Sequence, residues 1–143
     1  MAGFIMTFGI ASSIIVMQMG FKALNVARDS TLASQIIQSE IERLRLLPWS
    51  KTSGTMPEPV DSISELPALE AVNLTSMFTG NAALAAKFTV TRTVEADVAR
   101  PSDVRSITVK VTWKSYDGRS QTRYFTTLYA KNGLYDYYYT IAS

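Results

Sequence analysis

Few residues in this chain could do chemistry. Glu95 and Asp97 stand two apart in a stretch of alternating polar and apolar residues, a carboxylate pair of the kind that serves general acid–base work. Lys and Tyr are the remaining proton-transfer groups, because the 143 residues include no His and no Cys. Without His there is no Ser–His–Asp triad and no haem ligation of the usual kind. Without Cys there is no disulfide, thiolate zinc site, iron–sulfur cluster or thiol nucleophile. The carboxylate pair alternates onto a solvent face with no nucleophile–base constellation beside it. The expectation is a protein that is not an enzyme, with no catalytic residue, no cofactor and no metal site. A net charge of +2, from 14 Lys+Arg against 12 Asp+Glu, gives no strong reason to expect nucleic acid or an acidic partner. Asn73-Leu74-Thr75 matches an N-glycosylation tripeptide, a pattern that arises often by chance.

A second constellation depends on strand register. From residue 87 the apolar period is two: Phe88, Val90, Val94, Ala96 and Val98 alternate with polar residues, and Arg92 is the exception on the apolar side. After a turn at Arg100-Pro101-Ser102-Asp103, Ile107, Val109, Val111 and Trp113 alternate in the same way. Asp117-Gly118 signals a two-residue type I′ hairpin, and a third strand runs from Ser120 to Ala130. With Tyr116 opposite Arg119, one face then shows Lys110, Lys114, Arg123, Phe125 and Tyr129 together. Basic side chains interleaved with aromatics suit single-stranded DNA. They suit equally a neighbouring subunit, or cover by the tail that carries Tyr135, Tyr137, Tyr138 and Tyr139. A slip of one residue would dissolve this face.

These strands need an apolar partner, and the N-terminus supplies it. Residues 1–21 carry no charge and are apolar all round, including Phe4, Ile5, Phe8, Ile10, Ile14, Ile15, Val16 and Phe21. As a helix they span about 31 Å, the hydrocarbon thickness of a bilayer. The basic n-region and cleavage site of a secretory signal are missing. Gly3, Gly9 and Gly20 permit close helix–helix approach. Residues 22–47 continue without Pro or Gly until Pro48 but change character. Ala33, Ile36, Ile37, Ile41, Leu44 and Leu47 form one apolar stripe, and of these Ala33, Ile37, Ile41 and Leu44 are the expected helix-on-sheet contacts. Glu40–Arg43 and Glu42–Arg45 are surface pairs worth tenths of a kcal/mol. A helix of about 70 Å is longer than a domain of this size covers, so half of it must be buried elsewhere. The expected fold is α+β: a long helix, apolar then amphipathic, packed on an antiparallel meander. Its segments are 1–21, 22–47, a loop-rich connection 48–86 with one helical turn near Ala68 to Val72, the sheet 87–130, and a Tyr-rich tail 131–143.

The helix also carries a resemblance. An apolar half running into an amphipathic half, then a β-rich head, resembles type IV pilins and type II secretion pseudopilins. The segment from Ala27 to Arg45, with its Leu32-Ala33 and Glu42-Arg43-Leu44-Arg45, is similar to the Leu-Ala … Glu-x-Leu-Arg stretch of minor subunits of the PilV/GspI kind. The resemblance implies a structural subunit of a bacterial pilus or secretion filament, assembled through the helix with other pilin or pseudopilin subunits. It implies residence in the inner membrane before assembly, with a periplasmic head, and a precursor cut by a prepilin peptidase. Family members begin with a basic leader followed by Gly-Phe-Thr-Leu-x-Glu. Here Gly3-Phe4 is the only Gly-Phe near the start, and Phe8 stands at the position of the Glu. Lys22 and Arg28 follow the apolar segment rather than precede it, against the charge rule for a periplasmic head. The expectation is that Met1 is internal and lies just downstream of the cleavage box; the alternative is a tip-type subunit that lacks the Glu. The competing function is a single-pass, membrane-anchored binding module, for adhesion or DNA, using the basic–aromatic sheet face.

Overall fold

In the computed structural model, which describes residues 2–50 and 61–132, the first element is α1, Ala2–Arg45. Through Ser12 and Ser13 its apolar half satisfies polar groups internally: both hydroxyls donate to the Gly9 carbonyl, at 3.0 and 2.9 Å. The last turn tightens, with Leu46 N and Leu47 N donating to the carbonyls of Arg43 and Leu44, and Pro48 ends the path.

A 3-10 turn at Ile63–Glu65 leads to β1, Leu69–Ala71, where a helical turn was expected. Ala68-Leu69-Glu70-Ala71 favours a helix by propensity. Pairing with the neighbouring strand overrides it, and Leu69 lies opposite Thr93. The connection also holds α2, Ala82–Lys87, N-capped by Asn81, whose Oδ1 accepts from Leu84 N at 3.0 Å. Then follow β2, Phe88–Ala96, β3, Val104–Lys114, and β4, Ser120–Ala130. The sheet is wholly antiparallel in the order β1-β2-β3-β4.

One face of the sheet lies against the second half of α1. Buried positions on the helix are Asp29, Ala33, Ile36, Ile37, Glu40, Ile41 and Leu44, at spacings of three, four and one; that is a stripe about one-third of the helix wide. They meet Val90, Ile107, Val109, Val111 and Trp113 in one core. Phe88 bridges Trp113 and Phe78, with ring centroids 6.0 and 6.5 Å apart. The four expected helix-on-sheet residues, Ala33, Ile37, Ile41 and Leu44, are all in this core.

The register of β3 with β4 differs by one residue from the expected one. Ser115 closes the hairpin against Arg119: Ser115 N donates to Arg119 O at 2.9 Å and Gly118 N to Ser115 O at 3.0 Å. A type I′ turn needs positive φ at both central residues. Here Gly118 alone in the loop has it, at +78°, so the loop is Tyr116-Asp117-Gly118, with glycine in the left-handed position. Val111 therefore faces Arg123, and Val109 faces Phe125.

Candidate functional site

The one-residue shift divides the expected basic–aromatic face. Lys110 and Lys114 stay on the outer side of the sheet, away from α1. Arg123, Phe125 and Tyr129 share the helix side with Val111, Val109 and Arg105, their opposite residues. A one-residue slip must do this, because side chains alternate with period two. Tyr129 is buried, and its Oη donates to the carbonyls of Leu47 and Arg45 at 2.6 and 3.4 Å. Those carbonyls lie at the end of α1, where no helical partner remains, so Tyr129 closes the helix terminus. Arg123 donates from Nη1 to Ser34 Oγ at 3.0 Å.

The other carboxylate pair is also divided by local structure. Glu95 is exposed on the outer face, and Asp97 begins the β2–β3 turn, its Oδ2 accepting from Ala99 N and Arg100 N at 3.1 Å each. Asn73 of the glycosylation tripeptide likewise folds onto its own neighbour, accepting from Thr75 N and Oγ1. Among the described residues, no group of three or more Asp, Glu, His or Cys is placed to hold a metal ion.

What the sequence did not foretell is a buried ionic network between helix and sheet. Glu40, expected on the helix surface, is 1% exposed, and Arg92 is 2% exposed. Arg92 Nη1 donates to Glu40 Oε1 at 2.9 Å, and Nη2 donates to Glu70 on β1. Arg43 forks onto the same Glu40 carboxylate, Nε to Oε2 and Nη2 to Oε1, both at 2.9 Å, and its Nη1 lies 4.0 Å from Asp61. The network thus joins α1, β1, β2 and the connection. The Glu40 hydrogen bond holds the Arg43 guanidinium above its ordinary pKa, against the opposing cost of partial burial. A raised folded-state value gives stability present below the ordinary guanidinium range, so neutral pH does not switch this arm. A second tie, Lys87 Nζ at 2.6 Å from both oxygens of buried Asp29, pins the start of the packed helix to the end of α2. Arg92 was the visible signal, as the one charge on an apolar strand face. Its partners lie 52 and 22 residues away in sequence, beyond any local pattern.

The head stops at Lys22. Its Nζ lies 5.6 Å from the ring centroid of Tyr116, at the tip of the β3–β4 hairpin. Upstream of that point, among the described residues, the helix has no sheet beside it. Phe8, Ile10, Ile14, Ile15, Val16 and Phe21 are each more than half exposed, and every described side chain from Met6 to Arg28 is exposed. Phe4 and Ile5 continue the same helix; their side chains lie outside the described residues. The helix is long and apolar enough to cross a membrane, and none of its most apolar window is buried. A Cβ added at Gly9 or Gly20 would meet nothing within 4 Å, so packing among the described residues requires neither glycine. The Tyr-rich tail from residue 133 lies outside the described residues.

Comparison with family models, with curated proteins and with solved structures gave no match to this chain.

Proposed function

We propose that this protein is a structural subunit, a minor pilin or pseudopilin, of a bacterial type IV pilus or type II secretion-like filament. Its work is assembly rather than catalysis. The observation that carries the reading is the apolar half of α1, which runs without a break out of a packed head and is exposed along its described length. Nine large apolar side chains between Met6 and Phe21 are more than half exposed. Leaving them in water costs on the order of 10–20 kcal/mol, at roughly 1.5–3 kcal/mol for each side chain fully removed from water. That is comparable to the whole stability of a domain, so lipid or other helices must cover them. A filament core does so with equivalent helices, and Gly9 and Gly20 leave room for their close approach.

In this proposal the protein waits in the inner membrane with its head in the periplasm. It then joins other pilin or pseudopilin subunits through residues 1–21, after processing by a prepilin peptidase. The head is held rigid on the same helix by the Glu40–Arg92 contact, so its position on the filament surface follows that of the helix. The anchored binding module remains the rival, but the face it relied on is divided between the two sides of the sheet.

The test is fractionation of cells that express the tagged chain together with a pilus or pseudopilus assembly machinery and its prepilin peptidase. Resistance to carbonate extraction, together with recovery in sheared filaments after prepilin peptidase processing, is the expected result. Carbonate release overturns the membrane half of the reading. A protein retained in membranes and never found in filaments favours the anchored module.

A further inference from the structure

The second half of α1 and strand β4 run in the same direction. Tyr116, in the β3–β4 hairpin, lies at Lys22; Arg123 reaches Ser34; Tyr129 reaches Arg45 at the helix end. The hairpin tip is therefore the end of the head nearest the apolar half of α1. Lys22 is the first charged side chain of that helix. A Lys or Arg at the end of a spanning helix settles at the border between hydrocarbon and headgroups. Apolar exposure continues past it, since Leu24 and Tyr116 are both more than half exposed. The headgroup layer on each side of a bilayer is about 5–7 Å deep, and the Lys22 ammonium lies 5.6 Å from the centroid of the Tyr116 ring. With Lys22 at the border, the ring stands no farther out than that layer, where tyrosine is favoured because one end of it is apolar and the other wet.

The exposed charge at this end has mainly one sign. Lys22, Arg28, Lys114 and Arg119 are exposed on the hairpin and the adjoining helix. The acids here, among the described residues, are Asp29, buried and already held by Lys87, and Asp117, 3.5 Å from Arg119. Arg28 and Lys114 meet no carboxylate among the described residues. At the far end of the head the signs are mixed, with Asp61, Glu65, Asp97 and Asp103 standing among Arg45, Arg100 and Lys131. A basic rim around an exposed tyrosine, where an apolar helix leaves the head, is complementary to anionic phospholipid. Each Lys or Arg near such a surface contributes roughly fivefold to binding.

We propose that Lys114, Tyr116 and Arg119 of the β3–β4 hairpin, with Lys22 and Arg28 of α1, dock the head on the anionic phospholipid headgroups of the leaflet it faces. The contacts hold the head at one tilt over the bilayer, because the hairpin and the helix belong to one packed unit. This inference rests on the membrane half of the proposed function.

Amide NMR of the full chain in lipid nanodiscs that carry a gadolinium-chelate lipid tests it. Replacing about one-third of the phosphatidylcholine with phosphatidylglycerol should raise the relaxation enhancement at the Tyr116, Asp117 and Arg119 amides at least about threefold. The amides of Ser102 and Asp103, at the far end of the head, should not change. Salt at about 0.5 M should reverse the rise by screening. Lys114→Gln together with Arg119→Gln, both at exposed positions, should abolish it while the amide signals of β2 and β3 keep their positions. An enhancement that is the same in both kinds of disc, or that survives the double substitution, overturns the proposal. A rise that is equal at Ser102 also overturns it, because the head then lies on its side. A chain that stays out of the discs overturns the membrane reading as well, whereas a chain held in the discs with lipid-independent signals overturns this inference alone.

Discussion

The two halves of α1 differ in what surrounds them more than in how apolar they are. Residues 6–21 are the more apolar half and bury nothing, whereas residues 29–44 are interspersed with charges and form one wall of the core. Even two acidic residues, Asp29 and Glu40, are buried in the second half, because Lys87 and Arg92 meet them there. Burial is thus set by the presence of a complementary surface, and hydropathy alone does not locate the core of this protein. Among the described residues the first half meets no such surface, and the proposed function draws on its exposure.

Several measurements would break or sharpen this contrast. Removing residues 1–21 should abolish membrane association outright and leave the head folded, with a melting temperature within about 2 °C of that of the full chain in micelles. An unfolded product would mean that the apolar half belongs to the core. The same substitution can be placed in each half: Ile41→Asp should cost the head about 3–5 kcal/mol by putting a charge into the helix–sheet layer. Ile14→Asp should leave head melting unchanged and weaken membrane insertion by about 3 kcal/mol. Equal effects on head melting would erase the distinction.

Arg92→Leu should destabilise the head by about 3–4 kcal/mol in denaturant titrations, because Glu40 is left buried with Arg43 as its remaining partner. Adding Glu40→Leu should recover much of that loss, which a purely steric role for Arg92 would not allow. The smallest effect belongs to Lys87→Met, about 1 kcal/mol, since the Lys87 side chain is 36% exposed and the pair is partly screened. A loss there as large as that from Arg92→Leu would show that both ties are equally desolvated.

Much of the fold was legible because its signals are local. The charge-free run to Phe21, the stripe from Ala33 to Leu44 and the stop at Pro48 mark the helix. Alternation and turn residues mark β3 and β4, and β4 spans the expected residues 120–130. The α2 helix had local signals too, in Asn81 and the run Ala82-Ala83-Leu84-Ala85-Ala86, but it sat in a segment read as loop. β1 was illegible, because three residues of helix-favouring type become a strand only by pairing with β2. The candidate face failed for a subtler reason. Asp117-Gly118 fits both a two-residue and a three-residue loop, and one residue of difference exchanges the faces of β4, turning Tyr129 from an expected surface contact into the closure of the α1 terminus.

The sequence by itself determined that a long helix is apolar for its first 21 residues and amphipathic after Lys22, and that an antiparallel meander lies against its second half. These are consequences of side-chain periodicity, which each segment carries within itself. Only the tertiary structure decided the loop length at Gly118, the membership of each sheet face, and the burial of Glu40 with Arg92 and of Asp29 with Lys87. Those depend on groups far apart in the chain meeting in a medium of low dielectric, where one unpaired charge or one slipped register costs several kcal/mol. No local pattern encodes such a meeting, because its energy exists only once both partners have left water.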